Sequence, residues 1–485
     1  MINISLKTKA YSEKIDVEAT FRFLSKQYAD RPFLLESVFD ATSTTLAKKF
    51  SAISLICLNP LLTVSCKDGK CTIAGETSII SQLPKDLITC TLKAGETPVD
   101  FLRKIYSCFN VSWDCSLGAD RWFSGGFVGF AAYELAGYFE RLPKPARDPL
   151  GLPDMYFILH QDYIVYKPNS SSVRLLTFAA NAEARFASLE CGFEKKQAPK
   201  IKSTPSFPYK LSSNKTREEF MAMVEAAKAY IRIGDIFQAV PSRRLCIESA
   251  KPAMDTYESL RALNPSPYMF YLDFGEFMFI GASPETQVRL TNGLIELRPI
   301  AGTRRRGSSA SEEDAISKEL LSDEKELAEH TMLVDLARND IGRVCAPGTL
   351  SIPESFLIEK YSHVQHIVSH VTGKLAYGCD MFDVFRHTFP AGTVSGAPKI
   401  RAMEIITELE GEQRGAYAGA VGYFDLKGNL DFCISIRMIV KKGSLHYLQA
   451  GAGIVADSKP EREYVETMEK LNSTVCCLTG KTLDG

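Results

Sequence analysis

The sequence predicts a mixed α+β fold with a large C-terminal half. Three observations carry the prediction. Runs rich in β-branched and aromatic residues recur as strand candidates, and longer segments space their apolar residues at the helical period. One stretch over 193–215, FEKKQAPKIKSTPSFPYKLSSNK, is rich in Lys, Ser and Pro and too short of aliphatics to form core. It reads as a linker between an N-terminal domain over 1–192 and a second domain over 216–485.

Taken in order, SAISLICLN (51–59), MYFILHQDYIVY (155–166) and VRLLTFAA (173–180) read as strands. After the linker, Thr216 and Glu219 form a T-x-x-E capping box, and Phe220, Met223, Val224, Ala227 and Ile231 follow at helical spacing up to Gly234. Strands are expected at IFQAVPSRRLCI (236–247), MFYLDFG (269–275), FMFIGAS (277–283) and IELRPIAG (295–302), then one polar-faced helical stretch from Glu312 to Arg338. YAGAVGYFDL, LDFCISIRMIVKKG and SLHYLQAGAG suggest an antiparallel meander before a closing helix. No repeat of solenoid period is present.

The charge balance excludes several classes of partner. Lys+Arg number 57 against Asp+Glu 58, a formal net charge of -1, so neither nucleic acid nor a polybasic membrane contact is expected. No apolar run reaches the ~20 residues that span a bilayer, and the N-terminus has no hydrophobic signal core, which together point to the cytoplasm. The 13 cysteines contain no CxxC pair and the seven histidines no HExxH, so reduced thiols are expected rather than zinc.

Four constellations could carry chemistry. Glu326 and Glu329 lie three apart, as do Glu463 and Glu466, and on helices each pair shares a face. Four such oxygen donors suit Mg²⁺, although a solvated helix face is the default reading of each pair taken alone. Lys470 shares the Glu466 face as a salt-bridge partner or a ligand for a carboxylate. In LQAGAGIVADSKPERE, Gly451 and Gly453 stand between a strand and a helix that Ser458 and Glu461 could cap. Backbone amides there can approach an anion, though a plain turn is also possible. In PIAGTRRRG, Thr303 ends a strand before three arginines that read first as a solvated loop. In HVQHIVSHV, His366 and His370 share a strand face opposite His363; each could be structural, and His366 could transfer a proton near neutral pH. HTFPAGTVSGAPK, with Thr393 and Ser395, looks like a binding loop.

Together, GDIFQAVPSRR, NPSPYMFYL, GASPET, RPIAGTRRRG, EHTMLVDLARNDIGRV, VQHIVSHV, TFPAGTVSGAPK, GAYAGAVGYF, ISIRM, QAGAGIVADSKPEREYVET and E-K-L-N resemble the chorismate-utilising enzyme family, specifically the large subunits of anthranilate synthases. The segments appear in family order across about 234–472; before 190 the match rests on FLLES (33–37). The resemblance implies an anthranilate synthase large-subunit-like fold, β-sheets in an α/β sandwich with helices on the outside. It implies amination of chorismate by ammonia and elimination of pyruvate to give anthranilate, the first step of tryptophan biosynthesis. Glu326, Glu329, Glu463 and Glu466 would hold Mg²⁺, while Thr303, Thr393, Tyr417, Arg437, Gly451, Gly453 and Lys470 would hold the substrate. Glu285 would be the general acid and His366 would assist the elimination.

Two positions discriminate within the family. Gln238 stands where water-adding relatives carry a lysine base, and Ala301 where aminodeoxychorismate synthases carry a lysine nucleophile; both favour anthranilate. Arg305 departs from the usual proline. No glutamine amidotransferase motif is present, so a separate amidotransferase subunit is expected to supply ammonia. FLLES, with Glu36 and Ser37, and NPSPYMF, with Asn264, Pro267, Tyr268, Met269 and Phe270, resemble the family's tryptophan feedback site. The competing expectations are an aminodeoxychorismate or aminodeoxyisochorismate synthase and a non-catalytic tryptophan-binding regulator.

Overall fold

The computed structural model describes residues 1–38, 53–113, 123–195, 207–360 and 364–483. His363 and part of the expected linker lie outside them. Strands from both ends of the chain interleave in one hydrogen-bonded set, as an α+β fold requires. Ser54–Lys67 pairs antiparallel with Met155–Lys167, which in turn pairs with Gly126–Ala131. Gly126–Ala131 then pairs with Ala420–Asp425, and Phe33–Glu36 lies between Ser54–Lys67 and Tyr268–Asp273.

The local reason is burial. Gly126–Ala131 is buried throughout its length, and a strand covered on both faces must satisfy its amides within the sheet. Aromatic contacts weld the two halves together. Phe33, Phe130 and Tyr156 meet Phe274 with ring centroids 4.9, 5.2 and 5.0 Å apart. Each such pair contributes about 0.5–1.5 kcal/mol beyond its buried area. Tyr209–Ser213, inside the expected linker, is instead a strand paired with Ser242–Ser249; its side chains are exposed, so backbone pairing alone explains it.

Helices pack against the sheet faces. Val334, Ala337 and Ile341 of the Glu324–Gly342 helix join Leu290, Ile295 and Val371, and Leu471, Val475 and Leu478 of the closing helix Pro460–Thr479 join Leu245, Ile439 and Leu448. The Thr216–Glu219 capping box is formed at the head of Arg217–Arg232. The single helix expected from Glu312 to Arg338 is two, Ala310–Leu320 and Glu324–Gly342. Asp323 accepts from the amides of Lys325 and Glu326, and this N-cap restarts the helix. Ser458 does not cap the closing helix as expected: its hydroxyl accepts from Val455 N, and Pro460 occupies the first turn.

Candidate active site

A cavity of about 220 Å³ opens where the ends of several strands meet. Glu285, Thr303, His366, Thr393, Tyr417, Arg437, Gly451, Gly453 and Lys470 all line it, so every expected substrate or catalytic position except Gln238 comes to one place. Strand register explains the closest pair. Thr303 stands opposite His366 where Ile300–Arg305 runs against Val364–Lys374. The His366 Nδ1–H donates to Gly302 O at 2.9 Å, and Thr303 Oγ1 lies 3.2 Å from the same nitrogen. That bond fixes the tautomer and makes Nε2 the basic nitrogen.

Gly451 is needed for close approach to the backbone, whereas Gly453 sits against the end of a flexible side chain. A Cβ on Gly451 would lie 2.7 Å from Pro241 O and 3.1 Å from the Tyr417 hydroxyl, and one on Gly453 would lie 2.8 Å from Gln238 Nε2. Gln238 is therefore packed behind Gly453 rather than in the lining; its Oε1 is buried and meets no donor among the described residues. Gln449 lines the cavity and was not singled out from the sequence. Its Nε2 donates to Ser242 Oγ at 2.8 Å, leaving Oε1 buried without a donor among the described residues. The signal was present, because Gln449 opens the QAGAG motif.

Burial sets the protonation states. It pushes the Glu285 carboxyl up to about 8, with Thr393 and Lys470 opposing, so this acid is protonated at neutral pH. Burial pushes His366 down to about 4; the bond to Gly302 O opposes it and the charge of Arg437 adds to it. His366 is thus neutral near pH 7, not poised there as expected, because a buried imidazolium lacks water to solvate it. Arg437 has a left-handed φ of 52°, costly for a long side chain, and burial lowers its pKa while Tyr417 and Glu466 resist. This half-buried guanidinium, whose Nη1 donates to Lys470 O, is suited to an anion.

The two acidic pairs lie on the helices Glu324–Gly342 and Pro460–Thr479. Burial raises Glu329, and the negative charges of Glu326, Glu466 and Glu463 raise it further against Lys325. The four acids therefore share one field. Their carboxylates nonetheless do not close into a coordination shell: among the described residues, no three His, Cys, Asp or Glu side chains are grouped to hold a cation. The physical reason is that chain cations engage three of them. Arg304 holds Glu326 at 3.0 Å, Lys325 stands 3.7 Å from Glu329, and Lys470 holds Glu466 at 2.6 Å while also donating to Gly451 O. Glu463 keeps a buried Oε2 without a donor among the described residues. Hard oxygen donors, mutual repulsion and one orphaned carboxylate oxygen fit Mg²⁺. Arg304 is thus a clamp on Glu319, Asp323 and Glu326, whereas Arg305 is largely exposed and pairs with Glu312.

Away from this cavity, FLLES and NPSPYMF meet as the sequence suggested, with Met269 opposite Glu36. Glu36, Ser37, Pro267, Tyr268, Met269 and Phe270 line a pocket of about 40 Å³. Asn264 does not; it caps the end of the Ala253–Leu263 helix. The pocket's polar groups are already paired. Arg261 forks onto Glu36 at 2.7 and 2.8 Å, Ser37 donates to Pro267 O at 2.7 Å, and Tyr268 donates to Asp431 at 2.8 Å. No described helix is long and apolar enough to cross a membrane.

Comparison with known proteins agrees with this geometry. Residues 66–475 match the model of a family described as chorismate binding enzyme. Anthranilate synthase component 1 of Acetivibrio thermocellus is 41% identical over 454 residues, covering 90% of this chain and 88% of that protein. The Methanothermobacter thermautotrophicus protein of the same name is 41% identical over 463 residues, covering 94% and 92%. The crystal structure of anthranilate synthase component I from Streptococcus pneumoniae TIGR4 superposes with a TM-score of 0.75 at 35% identity, covering 88% of this chain and 92% of that one. The chain belongs to the chorismate-binding enzymes, in the branch formed by anthranilate synthase component 1.

Proposed function

We propose that this chain aminates chorismate with ammonia and eliminates pyruvate from the product to give anthranilate. One observation carries the reading: a carboxyl protonated at neutral pH, Glu285, shares a cavity with a neutral imidazole and with the half-buried cation Arg437. Arg437, Tyr417, Lys470 and the amides around Gly451 and Gly453 would hold the substrate's two carboxylates, with Thr303 and Thr393 on the walls. Glu285 gives its proton to the departing C4 hydroxyl as ammonia bonds at C2. His366, its Nδ1–H held by Gly302 O, presents Nε2 as the proton acceptor for the elimination.

Glu326, Glu329, Glu463 and Glu466 would hold Mg²⁺, which when bound neutralises and orients the ring carboxylate. Gln238 and Ala301 offer neither a base for water nor an amine for covalent attack, which favours anthranilate over the products of water-adding or aminodeoxychorismate-forming relatives. Ammonia would come from a separate amidotransferase subunit. Tryptophan would act at the pocket between Phe33–Glu36 and Tyr268–Asp273, which at about 40 Å³ must widen to admit an indole. The test is an assay with chorismate, ammonium chloride and Mg²⁺. Anthranilate fluorescence that EDTA removes supports the reading; a non-aromatic amino acid as sole product, or no turnover, refutes it.

A further inference from the structure

Glu285 faces two spaces. Behind it lies a second cavity of about 40 Å³, walled by Leu333, Leu336 and Asp340 of the Glu324–Gly342 helix, by Gln287 and by the Thr388–Thr393 segment. The two cavities share only Glu285 and Thr393 among their lining residues, so these two side chains form the partition. A space of this size admits about two waters and no organic ligand. Its wall holds the buried Arg298, paired with Glu359, and one acceptor that no donor meets among the described residues. Gln287 is 2% exposed, its Nε2 donates to Thr388 O at 2.6 Å, and its Oε1 is buried without a donor among the described residues. Across the cavity, Asp340 is buried and ion-paired with Lys399 at 2.7 Å, a fixed polar group toward which a water can orient.

We infer that this rear cavity binds one or two waters, held by Gln287 Oε1 and Asp340, through which Glu285 recovers its proton after each turnover. The inference rests on Glu285 being the acid of the amination. In that step the C4–O bond breaks and the Glu285 proton leaves with the hydroxyl as water. The C2–N bond forms, and the nitrogen sheds its surplus proton to solvent. A rear water passes a proton to the Glu285 carboxylate and is itself restored from solvent, so charge balances and nothing is oxidised. Because substrate and intermediate fill the front cavity, the rear route lets recharging proceed without product release. Gln287 is then a positioning residue that acts through water.

Two measurements on the full chain test this. A high-resolution crystal structure should show ordered water about 2.6–3.2 Å from Gln287 Oε1, on the Glu285 side of the cavity. A dry cavity would overturn the inference. Gln287→Met keeps the length of the side chain and removes both the acceptor and the Nε2–H that holds Thr388 O, so the crystal structure of the variant must show the Thr388–Thr393 segment in place. It should lower kcat with ammonium about ten-fold, short of the 10²–10⁴ that a general acid contributes, leave KM for chorismate unchanged and raise the solvent deuterium isotope effect on kcat. Wild-type kcat and isotope effect in Gln287→Met would also overturn it. Failure of the underlying reading looks different: Glu285→Gln would itself aminate chorismate at the wild-type rate.

Discussion

The cavity around Glu285 and the pocket between Phe33–Glu36 and Tyr268–Asp273 are both walled by buried polar groups, but they treat those groups in opposite ways. In the cavity, or just behind its wall, Gln238 Oε1 and Gln449 Oε1 are buried without donors among the described residues, and Glu285 carries a proton that burial forces on it. In the pocket, Glu36, Ser37 and Tyr268 are each engaged by a neighbour, Arg261, Pro267 O and Asp431. A site with incomplete partners gains hydrogen bonds when a ligand arrives. A site whose groups are already paired must exchange existing bonds, so a ligand there shifts the arrangement of the strands around it. The first behaviour suits turnover and the second suits regulation.

The contrast can be broken at its strongest point first. Glu329→Gln removes a carboxylate that three other acids repel, and should lower anthranilate formation on the order of 10³-fold and abolish the response to Mg²⁺ together. A variant that keeps both removes Glu329 from the proposed metal site. His366→Ala should reduce anthranilate about 10²-fold while an aminated, non-aromatic intermediate accumulates, read by mass spectrometry. Unchanged anthranilate output would show that the imidazole only supports the strand. Ser37→Phe replaces the hydroxyl on Pro267 O and fills the second pocket. It should raise the tryptophan concentration needed for half inhibition at least about ten-fold while sparing turnover, a coupling change of about 1.4 kcal/mol. Inhibition like that of the wild type would place the effector elsewhere. Arg305→Pro, at an exposed position paired with Glu312, should change kcat less than about two-fold, as surface substitutions usually do.

What could be read in advance was local or periodic. The Thr216–Glu219 box announces its helix because both partners lie within one turn, and the apolar run around His366 announces its strand. The residues that line the cavity were legible through motif order, since Glu285, Thr303, His366, Tyr417 and Lys470 each sit in a segment whose residue types match the family's. Long-range choices were not legible. Nothing near Glu36 shows that Arg261 will claim its carboxylate, and nothing near Glu326 shows that Arg304 will, because both pairings depend on how distant strands are registered. The same holds for His366. As a histidine it could have been structural or a group transferring a proton near neutrality, and only burial in the folded cavity brings it down to about 4. The break at Asp323 was missed for a different reason: a capping aspartate competes with helical periodicity that continues on both sides.

The central claim is that the fold keeps Glu285 protonated for use as an acid, and infrared difference spectroscopy tests it most directly. Subtracting the spectrum of Glu285→Gln from that of the intact protein isolates this one carboxyl. The account predicts a carboxylic-acid band at pH 7 that disappears as pH rises through about 8, because burial disfavours the charged form and raises the pH at which the proton leaves. A carboxylate signature already complete at pH 7 would contradict it.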